Sequence, residues 1–167
     1  AFVFQKRDLM LMGYDQAVDD NTTLDIFWGL YEIMGVSLVD MRMWQWLYAH
    51  PDATAQQLRE ATLAIAKEVW NTYYYPVLGE QDSPILACYS HMVNAPMYLP
   101  NYPFGHIVEF QLEEHLAQFP TKQAFADEIM RIYKLGKLTP NQWMQQAVGA
   151  KVSTTPILNA VEAILKK

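Results

Sequence analysis

The chain has 167 residues, half of them hydrophobic, with five Trp, ten Tyr and nine Met, and a net charge of −6. That length can bury a sizeable core, and an acidic balance with no basic cluster argues against a nucleic-acid-binding module. A single cysteine, Cys88, excludes an internal disulfide framework and a cysteine-based zinc site, and leaves the compartment open.

The opening, AFVFQKRDLMLMG, starts in mid-pattern. Phe2, Phe4, Leu9 and Met12 fall near one helical face and Gly13 follows as a stop. The expectation is a cut through a helix, so that the chain is a piece of something longer. Asn21 and Thr22 are cap candidates for a long helix that runs to about His50 and is ended by Pro51. Gly29 and Gly35 weaken its middle, and a kink is expected near Gly35. Its window from Leu24 to Tyr48 carries Asp25, Glu32, Asp40 and Arg42, which makes it a buried helix and not a membrane span.

A capping box, Thr54 with Gln57, opens the next helix. Leu58, Ile65, Val69 and Tyr73 form its apolar face and Pro76 closes it. Ser83, with Pro84 in the first helical position, opens a short segment that leads to His91. Pro96 and Pro100 make residues 92–101 irregular, and Pro103 starts the helix PFGHIVEFQLEEHLAQF. Thr121 caps a further helix that Gly136 stops. Thr139-Pro140 opens another, with Gln142 completing a box. Thr155-Pro156 opens the last, whose terminal lysines suit the negative end of its dipole. No run alternates with period two for long enough to argue a sheet. The fold class is therefore all-α: one domain over 1–167, six to eight helices around one core.

Little in the chain is built for chemistry on its own. The four histidines, His50, His91, His106 and His115, include no His-Glu-x-x-His and no pair at ligand spacing. His106, Glu109 and Glu113 share a helical face and read as a polar stripe, so no metal is assigned to this chain. Cys88 lies three residues from His91, yet a lone cysteine in a helical protein is usually inert filler. His91, Tyr98 and Tyr102 remain. An imidazole N–H and phenol hydroxyls can donate to a carbonyl oxygen as it gains charge, each worth ~3–4 kcal/mol in a dry site. Flanking prolines stiffen the segment that carries them. The competing reading is packing, with the hydroxyls on backbone carbonyls.

The stretch HMVNAPMYLPNYPFGHIVEFQLEEHLA, from His91 to Ala117, resembles the segment of gluzincin zinc peptidases that carries the substrate-binding His and Tyr. The angiotensin-converting-enzyme-like, thimet oligopeptidase and oligoendopeptidase F families belong to this group. His91, Pro96, Tyr102 and IVEFQL fall in the order of that pattern. The tail LTPNQWMQQAVGAKVSTTPILNAVEAIL resembles the closing segment of the family, and the opening resembles the continuation of the helix that supplies the third zinc ligand. The resemblance implies the C-terminal helical half of a peptidase that hydrolyses peptide bonds by metal-activated water. It implies Tyr102 as oxyanion stabiliser, His91 as a second donor to the substrate, and Tyr98 as a further substrate contact. The His-Glu-x-x-His helix is not in this chain. Zinc is then the cofactor of the longer parent only, and the chain alone is expected to be inactive. Its partners would be the peptide substrate and the missing zinc-binding half, with the apolar surplus as the surface that meets that half or drives self-association. No nucleic acid and no membrane is expected. Two alternatives stand beside this reading. One is a degenerate relative that lost its zinc site. The other is a non-catalytic helical binding or scaffold domain, with Trp44, Trp46, Tyr74 and Tyr75 as its partner-facing patch.

Overall fold

The computed structural model describes residues 16–167, with side-chain environments from Asp20 onward. The expectations placed on Phe2 to Gly13 lie outside the described residues. Among the described residues there are eight α-helices and no strand. They are α1 (Gln16–Ala49), α2 (Ala55–Tyr73), α3 (Tyr75–Leu78), α4 (His91–Asn94), α5 (Asn101–Leu116), α6 (Lys122–Tyr133), α7 (Pro140–Val148) and α8 (Thr155–Leu165). A 3-10 turn at Ile85–Ala87 lies between α3 and α4. No described helix is long and apolar enough to cross a membrane.

Several helix ends obey local chemistry. Thr54 and Gln57 form the expected box, and the Thr54 hydroxyl accepts from the Gln57 amide. Thr121 accepts from the Ala124 amide at 3.2 Å, and Thr139 pairs with Gln142. Gly136 takes φ 73, a left-handed value suited to glycine after a helix. At the end of α1, His50 Nδ1 lies 2.8 Å from the Trp46 carbonyl, just before Pro51.

Other ends differ from expectation. Asn21 and Thr22 are not caps, because α1 begins upstream at Gln16 and passes through both. Pro76 does not close α2 but sits in the first turn of α3, where its missing N–H costs nothing. Ser83 caps no helix. It is buried, and Pro84 precedes the 3-10 turn. Pro103 is preceded by Asn101 and Tyr102 in the first turn of α5, again a position without need of an N–H.

Two clusters of buried apolar residues stand out among the described residues. The first lies in a compact unit, Trp28–Pro103. It joins Val39 and Met43 of α1, Ala66, Val69 and Trp70 of α2, then Tyr74, Leu86, Met92 and Leu99. Gly35 lets it close. The Tyr74 hydroxyl accepts from the Gly35 N–H at 2.8 Å and donates to the Tyr31 carbonyl at 2.5 Å. Those two backbone groups would bond each other in a regular helix, so the phenol occupies one rung of the ladder, a recognised cause of bending. A β-carbon at position 35 would fall on that hydroxyl. Tyr74 is thus a core residue, and Trp44, Trp46, Tyr74 and Tyr75 do not make one exposed patch.

The second cluster lies in the unit formed by Phe104–Lys167 and the described residues up to Phe27. Leu112 and Leu116 of α5 pack with Ile132 of α6 and Ala147 of α7. Polar side chains bind the turns around it. Glu128 accepts from Arg131 Nε at 2.8 Å and lies 2.6 Å from His115 Nε2. Arg131 also donates to the Gln146 and Ala147 carbonyls at 2.9 and 2.5 Å, which caps the end of α7. Gln111 donates to the Lys151 carbonyl at 2.8 Å and accepts from the Ser153 amide at 3.0 Å.

Candidate functional site

Residues 84–103 assemble the candidate site within the Trp28–Pro103 unit. Two buried side chains pin the segment to the core, Met92 in α4 and Leu99 beyond it. Between them the chain turns sharply. The Tyr98 amide donates to the Ala95 carbonyl at 3.1 Å, with Pro96 at the second position and Met97 at the third. Met97 has φ 59, at a turn position where glycine is usual. The Tyr98 carbonyl then accepts from the Asn101 amide at 3.1 Å and from Asn101 Nδ2 at 2.9 Å. Because Leu99 is buried, its neighbour Tyr98 is left outside, and Tyr102 follows in the first turn of α5.

The three residues expected from sequence come together. His91 and Tyr98 lie nearly parallel with ring centres 6.1 Å apart, and Tyr102 stands edge-on to Tyr98 at 5.4 Å. Tyr89 extends the row on the other side, 5.2 Å from His91. His91 and Tyr102 are each a ring neighbour of Tyr98, which stands between them. Tyr89, Tyr98 and Tyr102 are 40%, 47% and 43% exposed, so their phenols face outward. The Tyr98 hydroxyl and, next, partial desolvation raise the pKa of Tyr102 above its ordinary value near 10. The hydrogen bond with Tyr98 thus favours the protonated form of the Tyr102 phenol. His91 is half-buried, and its Nδ1 is sealed without a hydrogen-bond partner. Nε2 is then the ring atom available to an outside group.

Other sequence candidates do not join this row. Cys88 is exposed at the end of the 3-10 turn, and among the described residues no hydrogen bond joins it to His91. His106 Nδ1 lies 3.0 Å from Glu109, which is buried. Among the described residues no three His, Cys, Asp or Glu side chains gather as metal ligands. A cavity of about 390 Å³ lies elsewhere, lined by Trp46, His50, Asp52 and Gln57 among others.

Sequence reasoning missed the residue beneath the row. Asp40 has no exposed surface. Its carboxylate faces the Met97 and Leu99 amides and the Trp44 indole N–H. Neither oxygen reaches hydrogen-bond geometry with any of them, and Trp44 Nε1 is likewise unpartnered. Burial therefore outweighs these donors and raises the Asp40 pKa above its ordinary value near 3.8. The signal was in the sequence: Asp40 sits between Val39 and Met43, which α1 buries. A lone carboxylate at such a position asks for a local reason.

No family model matches this chain, and no curated protein and no solved structure matches it.

Proposed function

We propose that this chain is the C-terminal helical part of a gluzincin-type zinc metallopeptidase and supplies one wall of its peptide-binding site. The observation that carries the reading is the outward row of His91, Tyr98 and Tyr102, held at one edge by buried Met92 and Leu99. In this reading the Tyr102 hydroxyl, which shares its hydrogen with Tyr98 in the free chain, turns to donate that hydrogen to a substrate oxygen. His91 offers Nε2 for a second bond, and Tyr98 keeps the two in register. Such donors stabilise charge as it develops on a carbonyl oxygen. The described residues do not fit a zinc ion. Zinc would activate the attacking water from outside this chain, and no step through it is assigned to these residues.

Two measurements test the reading. Titration of the chain with a mixed pool of short peptides, followed by NMR, should move resonances at His91, Tyr98 and Tyr102. Those shifts should be lost in His91→Ala. With a zinc-binding half supplied, Tyr102→Phe should lower kcat about 10²-fold and leave KM nearly unchanged. Peptide shifts confined to other residues, or full activity in Tyr102→Phe, would sink the proposal.

A further inference from the structure

Three features of the Trp28–Pro103 unit meet at one place. Asp40 is the only carboxylate among the unit's buried residues, and both of its oxygens lack a bonded partner. Met97, whose amide it faces, holds a backbone conformation that methionine disfavours. The indole N–H of Trp44, which also faces it, is buried and unpaired. A carboxylate placed only for stability would resemble Glu128, which is bound by Arg131 and His115. Asp40 has donors aimed at it from the turn and none at ideal geometry. Strain of this kind persists where surrounding structure imposes it, and it clusters at functional sites.

We infer that Asp40 is a positioning residue, whose buried carboxylate draws the Met97 and Leu99 amides inward and so fixes the turn that presents Tyr98 and Tyr102. The inference rests on the peptide-binding reading of that row for its functional meaning, but the anchoring is measurable without peptide. Two amides converging on one anion give a purely electrostatic tether that tolerates imperfect distance. It holds the backbone between Pro96 and Pro100 while leaving the side chain of Tyr98 free to face solvent. The strain at Met97 is then the local consequence of bringing residues 97 and 99 to the same acceptor.

The test is amide hydrogen exchange on the whole chain in two variants. Asp40→Asn keeps one acceptor oxygen and the side-chain volume, whereas Asp40→Leu removes the acceptor. Protection at the Met97 and Leu99 amides should fall in the order Asp, Asn, Leu, by about tenfold or more in the last. Protection at Ala66 and Val69, in the same core, should not fall with it. The Tyr102 phenol, read by ring NMR, should titrate closer to its ordinary value in Asp40→Leu because the row loosens. Equal protection at Met97 and Leu99 in all three proteins would overturn the inference. So would a loss spread evenly over Ala66 and Val69, or failure of both variants to fold, since either makes Asp40 a structural residue only. Peptide titration of the unmodified chain separates the two ideas: absence of binding removes the site reading and leaves the anchoring result intact.

Discussion

The two compact units bury acids in opposite ways. Around Phe104–Lys167, Glu128 sits among matched donors, and the left-handed positions among the described residues of that unit, Gly136 and Gly149, are glycines. In Trp28–Pro103, Asp40 is sealed without a bonded partner, and left-handed positions fall on Asp82 and Met97 as well as Gly79. Asp82 has a compensation, because its amide and carboxylate both bond Asn71. Met97 has none of that kind. Among the described residues, the buried side-chain polar atoms without a hydrogen bond, on Asp40, Trp44 and His91, all lie in Trp28–Pro103, the unit that carries the aromatic row. Unmet polar groups and disfavoured backbone cost stability, so their position marks where geometry is held for another purpose.

The largest expected effect breaks the packing under that segment. Gly35→Ala would place a methyl group on the Tyr74 hydroxyl and ring. Neither α1 nor the ring can move without losing the Gly35 and Tyr31 bonds. A loss of about 3 kcal/mol is expected from overpacking together with those bonds, read from urea denaturation. Gly29→Ala is the control, since a β-carbon there meets nothing. The control should gain up to about 1 kcal/mol, because alanine loses less backbone entropy in a helix than glycine; a loss there as large as at position 35 would remove the phenol from the explanation.

The next effect is a pH dependence of opposite sign in the two units. Arg131, then His115, hold Glu128 down to about 2 from an ordinary 4.5, against the opposing effect of burial. A carboxyl lowered in the folded state stabilises it above the unfolded value, and that stability is lost as pH falls from about 4.5 toward 2. A shift of this size corresponds to about 3 kcal/mol, and the partial exposure of Arg131 brings the expectation to about 2. Glu128→Gln should remove that acid-side slope in denaturation midpoints. Asp40 behaves in reverse. Its raised pKa favours the folded state most when it is protonated, and that contribution is lost as pH rises from about 3.8 through the folded value. Asp40→Asn should flatten that second slope and leave the first. A single shared slope, abolished by either substitution, would erase the contrast between the units.

Much of the helical framework was legible because its signals are short-range. Thr54 with Gln57, Thr139 with Gln142, and Pro51 after Ala49 each act within a turn, and a turn of sequence suffices to read them. The same logic misplaced the start of α1. Asn21 and Thr22 are good caps, but a cap is needed only where amides are orphaned, and α1 already runs through them from Gln16. The role of Gly35 was half legible. A weak point in the helix was expected there, whereas the phenol that exploits it arrives from residue 74. For the candidate site, residue type made His91, Tyr98 and Tyr102 candidates beside a competing packing reading, and their roles came only from the family resemblance. Asp40 could not be joined to them, because no local rule connects a helix residue to a turn more than fifty positions later.

The smallest effect sharpens the comparison most narrowly. Met97→Gly should relieve about 1 kcal/mol of backbone strain at φ 59. It also frees the unfolded chain, which returns about 0.5–1 kcal/mol. The Met97 side chain is nearly half exposed, so little apolar burial is lost. The net change in denaturation free energy should stay within about 0.5 kcal/mol of zero. Met97→Val is the partner experiment: a β-branched residue resists the left-handed region, and a further loss of about 1–2 kcal/mol is expected. If glycine proved costly and valine harmless, the Met97 side chain and not its backbone would be what that position requires. The strain would then be incidental to the turn, and the two units would differ only in how they treat their buried acids.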